Sequence, residues 1–210
     1  RKYVDVMSYA YWIRKASIEN VKEKHLDRKN RIGRGVAFHI APSNVPVNFA
    51  VSMTSSLLAG NATIIRVSNK NFEQVDIICD AINKILCNQC KDMQCYLCLI
   101  RYEHSELITQ ELSNMCDVRI IWGGNNTINT IRKAALPSRA IEMAFADRYS
   151  LAVINSNTYL NENLDEIAKR FYTDTYYSDQ NACSSPRLVV WLGDKVEEAR
   201  GIFWKKMNEI

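Results

Sequence analysis

From residue 36 onward the hydrophobic period of the sequence switches back and forth between that of a strand and that of a helix. Val36–Ala41, Ala62–Val67, Cys95–Arg101 and Val118–Trp122 are short runs, apolar at nearly every position and partly β-branched or aromatic. Strands buried on both faces read this way. Helical patterns over about 46–59, 72–88, 105–115 and 126–135 lie between and after them, and Pro46 and Gly60 bound the first. Strands alternating with helices of this length build βαβ units with right-handed crossovers. Two more strand-like runs, Ile141–Ala146 and Ser150–Ile154, follow. The expected fold is therefore an open, mostly parallel, Rossmann-like α/β sheet with helices on both faces.

On either side of this layer the pattern differs. Val4, Met7, Tyr11, Ile18 and Val21 recur at helical spacing and predict one amphipathic helix over 3–26, within an N-terminal segment 1–30. The nucleotide-layer pattern is assigned to 31–160. From 161 a helix Asn161–Tyr172, a polar loop Ser178–Pro186 and a strand Leu188–Leu192 predict the start of a second domain, 161–210. Because Arg1 and Ile210 both fall inside helical patterns, a piece of a longer protein is expected.

Composition narrows the function classes. A chain that is 47% hydrophobic and 24% charged is not disordered. Its 27 basic and 23 acidic residues nearly balance, with no long basic cluster beyond the first thirty positions, so no nucleic-acid footprint is expected. No apolar run approaches the roughly 20 residues of a membrane span. Seven cysteines, an odd number without an apolar leader, predict free thiols in a reducing cytoplasm. Gly33-Arg34-Gly35 lacks a third glycine and precedes a strand, so the usual dinucleotide fingerprint is absent.

Ligands of parallel α/β sheets bind beyond the carboxyl ends of the strands. Pro42-Ser43-Asn44-Val45-Pro46 places one amide in a stiff turn, suited either to an oxyanion or to capping the next helix. Arg66-Val67-Ser68-Asn69-Lys70 offers cations and small donors, which could serve a nucleotide or face solvent. Gly123-Gly124-Asn125-Asn126-Thr127 opens a helix with backbone N–H groups that favour an anion. Asp179-Gln180-Asn181-Ala182-Cys183-Ser184-Ser185-Pro186 puts a cysteine in a polar loop. Cys183 is the best nucleophile candidate, whereas Cys79 and Cys116 lie in apolar contexts and read as core.

Cys87-x-x-Cys90 and Cys95-x-x-Cys98 imitate zinc knuckles, but only four residues separate the pairs, and Cys95 and Cys98 would point to opposite faces of one strand. No metal site is expected. Among the histidines, His25 lies in a charge run, His39 inside a strand, and only His104 at the edge where ligands bind.

Taken in order, Ile40-Ala41-Pro42-Ser43-Asn44-Val45-Pro46, Ile65-Arg66-Val67-Ser68-Asn69, the Gly123-Gly124 turn and Gln180-Asn181-Ala182-Cys183 resemble the successive motifs of the aldehyde dehydrogenase superfamily. Gly33–Pro46, Trp122-Gly123-Gly124, Asp147-Arg148-Tyr149-Ser150 and Asp179–Pro186 resemble in particular its acyl-CoA reductase branch, the LuxC-type fatty-acid reductases of bacterial bioluminescence operons and their relatives. The likeness runs from about 31 to 192.

The resemblance implies that Cys183 accepts the acyl group and that the Asn44 amide and the Cys183 backbone N–H stabilise the oxyanion. It implies that Arg66 and Ser68 hold the adenosine ribose, with Gly123, Gly124 and Thr127 beside the pyrophosphate. Asn69 stands where NAD-preferring relatives often carry an acid, so the implied cofactor is NADPH. A fatty acyl-CoA or acyl-protein thioester is the implied substrate, acyl-transferase and acyl-protein synthetase subunits are implied partners, and a homo-oligomer is the implied assembly.

Two departures matter. Hydrolytic members carry Glu-Leu-Gly-Gly-Lys, which supplies the base for deacylation; here the region reads Ala144-Phe145-Ala146-Asp147-Arg148. Without that base an acyl-enzyme is spared an activated water, which favours reduction over oxidation. Family members also continue well past the cysteine, and that later region completes the catalytic domain. The expectation is long-chain acyl reduction to the aldehyde. Its rivals are a non-catalytic assembly subunit, an acyl-transferring thiol enzyme and an aldehyde dehydrogenase working in the oxidising direction.

Overall fold

The computed structural model describes residues 2–24, 31–177 and 179–210. They fall into two compact units, divided at Ala146/Asp147. The first is built on a five-stranded sheet in the order β3-β2-β1-β4-β5, parallel throughout. Its strands are β1 (Val36–Ile40), β2 (Ala62–Arg66), β3 (Leu97–Ile100), β4 (Val118–Gly123) and β5 (Ile141–Ala146). The helices between them are α3 (Asn48–Leu58), α4 (Glu73–Asn88), α5 (Glu106–Met115) and α6 (Asn125–Ile131), preceded by α1 (Val4–Trp12) and α2 (Lys15–Glu23).

Alternate residues of β1 and its neighbours enter two separate cores, which is why these strands are apolar on nearly every residue. Ala41, Ile65 and Val67 join Phe49, Ala50 and Met53 of α3, Val75 and Ile78 of α4, and Tyr9 of α1. Phe38, Ile40 and Ile121 join Cys116 and Ile128 on the opposite face. The expected open parallel sheet with helices on both faces is thus the observed one. Two glycines before β1 have structural duties: a Cβ at Gly33 would lie 1.9 Å from the Gly60 carbonyl oxygen, and Gly35 has φ +128°. In place of a phosphate loop, Gly33 lets two backbones cross closely and Gly35 takes a backbone conformation that L side chains rarely adopt.

β5 is fixed to β4 by charge as well as by its ladder. Arg119, 2% exposed, donates through Nε and Nη2 to Glu142 Oε2 at 2.9 and 2.6 Å, and through Nη1 to Ala134 O and Ser113 Oγ. Arg132 Nε takes the other Glu142 oxygen at 2.7 Å. Burial pushes the Glu142 carboxyl up, but its hydrogen bonds to Arg132 and Arg119 and their charges outweigh this and hold it below its usual value.

The second unit contains β6 (Ser150–Asn155) and β7 (Pro186–Leu192), paired in parallel, with α7 (Ser156–Tyr159), α8 (Leu164–Thr175) and α9 (Val196–Asn208). Its core is Tyr159, Ala168, Ala199, Phe203 and Met207, with Phe203 edge-on to Tyr159, Phe171 and Trp191. Asn163 caps α8 through a hydrogen bond from the Glu166 N–H.

Three expectations are corrected. The single helix over 3–26 is two helices, because Arg14 is extended (φ −60°, ψ 151°) and its guanidinium turns back over the Tyr11 ring and carbonyl. Only α1 buries a residue, Tyr9, and residues 25–30 of the expected segment lie outside the described residues. The boundary expected at 160/161 falls at Ala146/Asp147, since β6 pairs with β7 and not with the first sheet. The strand expected from Cys95 begins at Leu97, and Cys95 sits in a 3₁₀ turn, Lys91–Tyr96, where its thiol donates to the Asp92 carbonyl.

Candidate active site

In the order β3-β2-β1-β4-β5 the chain leaves β1 in one direction and β4 in the other, so the carboxyl ends of β1 and β4 form the topological switch point of the sheet. Two of the sequence-predicted segments are there. Beyond β1, Asn44 is exposed in the turn between Ala41 and Val47, both buried. Helix α3 starts only at Asn48, with Val47 at its N-cap and no side-chain cap, so Asn44 is not the capping residue. Beyond β4, Gly123 ends the strand and Gly124 is the N-cap of α6. A Cβ at Gly123 would meet Thr127 Cβ and Cγ2 at 3.1 Å, so the missing side chain lets α6 start close against the strand.

One strand further out, β2 ends on Arg66, half-buried, whose Nε and Nη2 donate to the Tyr102 carbonyl at 3.3 and 3.2 Å. Asn69 Nδ2 donates to the same oxygen at 3.0 Å, and the guanidinium lies 4.9 Å from the Tyr102 ring centroid. Ser68 Oγ accepts the Lys70 N–H, tightening the turn. Arg66 makes no ion pair among the described residues. It is a fixed, half-buried cation with no carboxylate on it, which suits a phosphate-bearing ligand.

Beneath the switch point lies a group the sequence reading left in the core. His39 of β1 is 1% exposed, and its Nδ1 is 2.8 Å from Ser52 Oγ. Ser52 Oγ also accepts the Trp122 indole N–H at 3.2 Å, and Trp122 stacks on Phe145 with centroids 4.0 Å apart. Burial pulls the His39 pKa down to about 4, so the ring is neutral. The sequence signal was available: a lone imidazole in a strand apolar on all other positions must find a partner on the facing helix. His104 is exposed in the bend before α5, and His25 lies outside the described residues.

In the second unit Cys183 is exposed in a tight turn closed by the Ser185 N–H on the Ala182 carbonyl at 3.0 Å. Upstream, Asp179 and Gln180 adopt φ of 50° and 57°, with the Gln180 N–H returning to Thr175 O at the end of α8. Ser178 lies outside the described residues. Ser150 Oγ donates to the Cys183 carbonyl at 2.8 Å. Burial pushes the thiols of Cys116 and Cys79 up, which disfavours the nucleophilic thiolate there. Cys87, Cys90, Cys95 and Cys98 are all exposed, and among the described residues no three His, Cys, Asp or Glu side chains are arranged to hold a metal ion. No described helix is long and apolar enough to cross a membrane.

Comparison with known proteins bears on the fold and the family. Solved structures that share the fold include an NAD-dependent benzaldehyde dehydrogenase from Corynebacterium glutamicum (TM-score 0.66, 15% identity, covering 86% of this chain and 38% of that one). PnpE in complex with nicotinamide adenine dinucleotide is another (TM-score 0.64, 16% identity, 82% and 34%). Among curated relatives, the long-chain acyl-protein thioester reductase of Vibrio harveyi is 25% identical over 177 residues, covering 83% of this chain and 36% of the relative. That of Aliivibrio fischeri is 26% identical over 165 residues, covering 78% and 33%. The chain thus spans about a third of the length of these relatives. The family model described as acyl-CoA reductase (LuxC) matches residues 13–208, nearly the whole sequence, and the chain belongs to that family.

Proposed function

We propose that the protein carrying this chain reduces a long-chain fatty acyl thioester, on coenzyme A or on an acyl-protein, to the fatty aldehyde, with Cys183 as the acyl acceptor. The supporting observation is the match of the acyl-CoA reductase (LuxC) family model to residues 13–208 together with a cysteine exposed in a tight turn at its motif position. The Cys183 thiolate attacks the thioester carbonyl, the substrate thiol leaves, and a Cys183 acyl-enzyme forms. The Asn44 amide and the Cys183 backbone N–H are assigned to the tetrahedral oxyanion, where one donor is commonly worth about 10²–10³ in rate.

The residues present fit a nicotinamide dinucleotide: Gly123, Gly124 and Thr127 would lie along the pyrophosphate, and Arg66 and Ser68 beside the adenosine ribose. An Arg66 with no ion pair among the described residues, with Asn69 where an acid would repel a 2′-phosphate, supports NADPH. When bound, the nicotinamide supplies the hydride that takes the acyl group to the aldehyde level; Cys183 then leaves as thiolate and is ready for the next acyl group. The segment Ala144–Arg148 offers no glutamate to activate water, which supports reduction over hydrolysis. A cytoplasmic homo-oligomer working with acyl-transferase and acyl-protein synthetase subunits is the assembly that fits this reading.

The test is incubation of the full chain with a labelled long-chain acyl-CoA. A thiol-linked adduct is expected in the parent and not in Cys183→Ala, with NADPH then releasing aldehyde. Equal labelling of both proteins overturns the nucleophile assignment, and release of free acid in place of aldehyde overturns the reductive reading.

A further inference from the structure

The turn that carries Cys183 is closed by the Ser185 N–H on the Ala182 carbonyl and preceded by two left-handed residues that are not glycine. Non-glycine residues in that region carry backbone strain, and a solvent-exposed turn opens readily. Ser150, the first residue of β6, donates its hydroxyl to the Cys183 carbonyl at 2.8 Å. The contact falls where β6 and β7 begin: Ser150 is in register with Pro186, and the ladder is irregular between Ser150 and Leu151. Next to it the Arg187 guanidinium lies 5.1 Å from the Tyr149 ring centroid, so the two strand starts meet at a second point.

Because the peptide group is planar, fixing the Cys183 carbonyl fixes the whole Cys183–Ser184 plane and, with the closed turn, the backbone from which the thiol projects. We infer that Ser150 is a positioning residue for Cys183: its hydroxyl ties the nucleophile turn to the start of β6 and sets the direction in which the thiol meets an acyl group. This rests on the reading of Cys183 as acyl acceptor. The same stretch, Asp147–Ser150, closely follows the position at which hydrolytic superfamily members carry a base. Here it supplies a hydroxyl to the backbone of the cysteine. A hydroxyl at this place is enough, so threonine should substitute and alanine should not.

Ser150→Ala and Ser150→Thr are compared with the parent, in the full chain, by three measurements. Acyl transfer from a long-chain acyl-CoA to Cys183 is expected to fall about fivefold to tenfold in Ser150→Ala, the loss of one hydrogen bond's worth of positioning, and to stay near the parent in Ser150→Thr. Alkylation by iodoacetamide, which needs no alignment, is expected to change less than about twofold at Cys183 relative to exposed Cys98, with buried Cys116 still protected as a sign of intact folding. Hydrogen exchange in a peptide spanning 179–186 is expected to speed up in Ser150→Ala while β4 and β5 stay unchanged. Unchanged acyl transfer in Ser150→Ala overturns the positioning role. Unchanged exchange overturns the tie itself, whether or not acylation is seen. If the parent fails to acylate at Cys183 while exchange responds as expected, the tie stands and the acyl-acceptor reading fails.

Discussion

Acid should destabilise the first unit through one buried imidazole. His39 is 1% exposed, held by Ser52 on one side and unpartnered at Nε2 among the described residues. Burial lowers its pKa from 6.5 to about 4. Above about pH 7 both folded and unfolded forms are neutral and the group has no effect. As pH falls through 6.5 the unfolded chain takes up a proton that the folded chain refuses, so stability declines until pH reaches the folded value and then levels off. At about 1.4 kcal/mol per pH unit across this window, the loss is about 3 kcal/mol, a large share of the stability of an ordinary domain. His39→Asn keeps an amide near Ser52 and removes the titration. It should cost about 1–2 kcal/mol at about pH 7.5 through lost side-chain volume, but its stability should be flat where the parent declines. Urea unfolding from about pH 7.5 to 4.5, followed by hydrogen exchange of β1 and β4, measures this. Parallel losses in parent and variant would refute the reasoning.

Three further outcomes follow from contacts in the same unit. Glu142→Ala leaves the Arg119 cation buried without its carboxylate and should cost about 3 kcal/mol, whereas Arg132→Ala, at the exposed end of the triad, should cost less than about 1 kcal/mol by urea unfolding. Because the folded Glu142 pKa is lowered, its contribution is present above the unfolded carboxylate value and lost as pH falls through the folded one. Gly35→Ala, with φ +128° and a Cβ 2.0 Å from Asp117 Oδ2, should destabilise by about 2 kcal/mol or more and disturb the Asp117 hydrogen bond to the Val36 N–H. Arg66→Ala should weaken NADPH binding about tenfold while changing NADH binding less, as read by fluorescence titration; equal losses for both would remove Arg66 from the 2′-phosphate.

The strands of the first sheet were legible because burial on both faces leaves a simple trace, an apolar run, and β1, β2, β4 and β5 fall within a residue or so of their expected limits. Pairing left no such trace. Ile141–Ala146 and Ser150–Asn155 look alike in sequence and stand three residues apart, yet one completes the first sheet and the other pairs with a strand that begins at Pro186. Nothing local distinguishes them, since a strand's partner is chosen by contacts far along the chain. The helix break at Arg14 was hidden for the opposite reason: the periodicity continues through it while the backbone does not.

The same contrast separates the site residues that could be read from those that could not. Asn44, Gly123 and Cys183 belong to short patterns that mark turns at element ends, and the structure puts all three in turns or at a strand end. Their supports are different in kind. Tyr102 acts through its backbone carbonyl, gathering Arg66 and Asn69 from 36 and 33 residues away, so the identity of its side chain says nothing of that role. Ser52 links His39 to Trp122 across 13 and 70 residues. Ser150 reaches Cys183 across 33. A serine is common and tolerated in many settings, so its type carries little information; only the carbonyl or ring it meets gives it a function. Turn chemistry therefore announces where a site is, whereas the hydrogen bonds that hold its reactive groups in place depend on which distant backbone atoms the fold brings within about 3 Å, and these are fixed by the packing of whole elements.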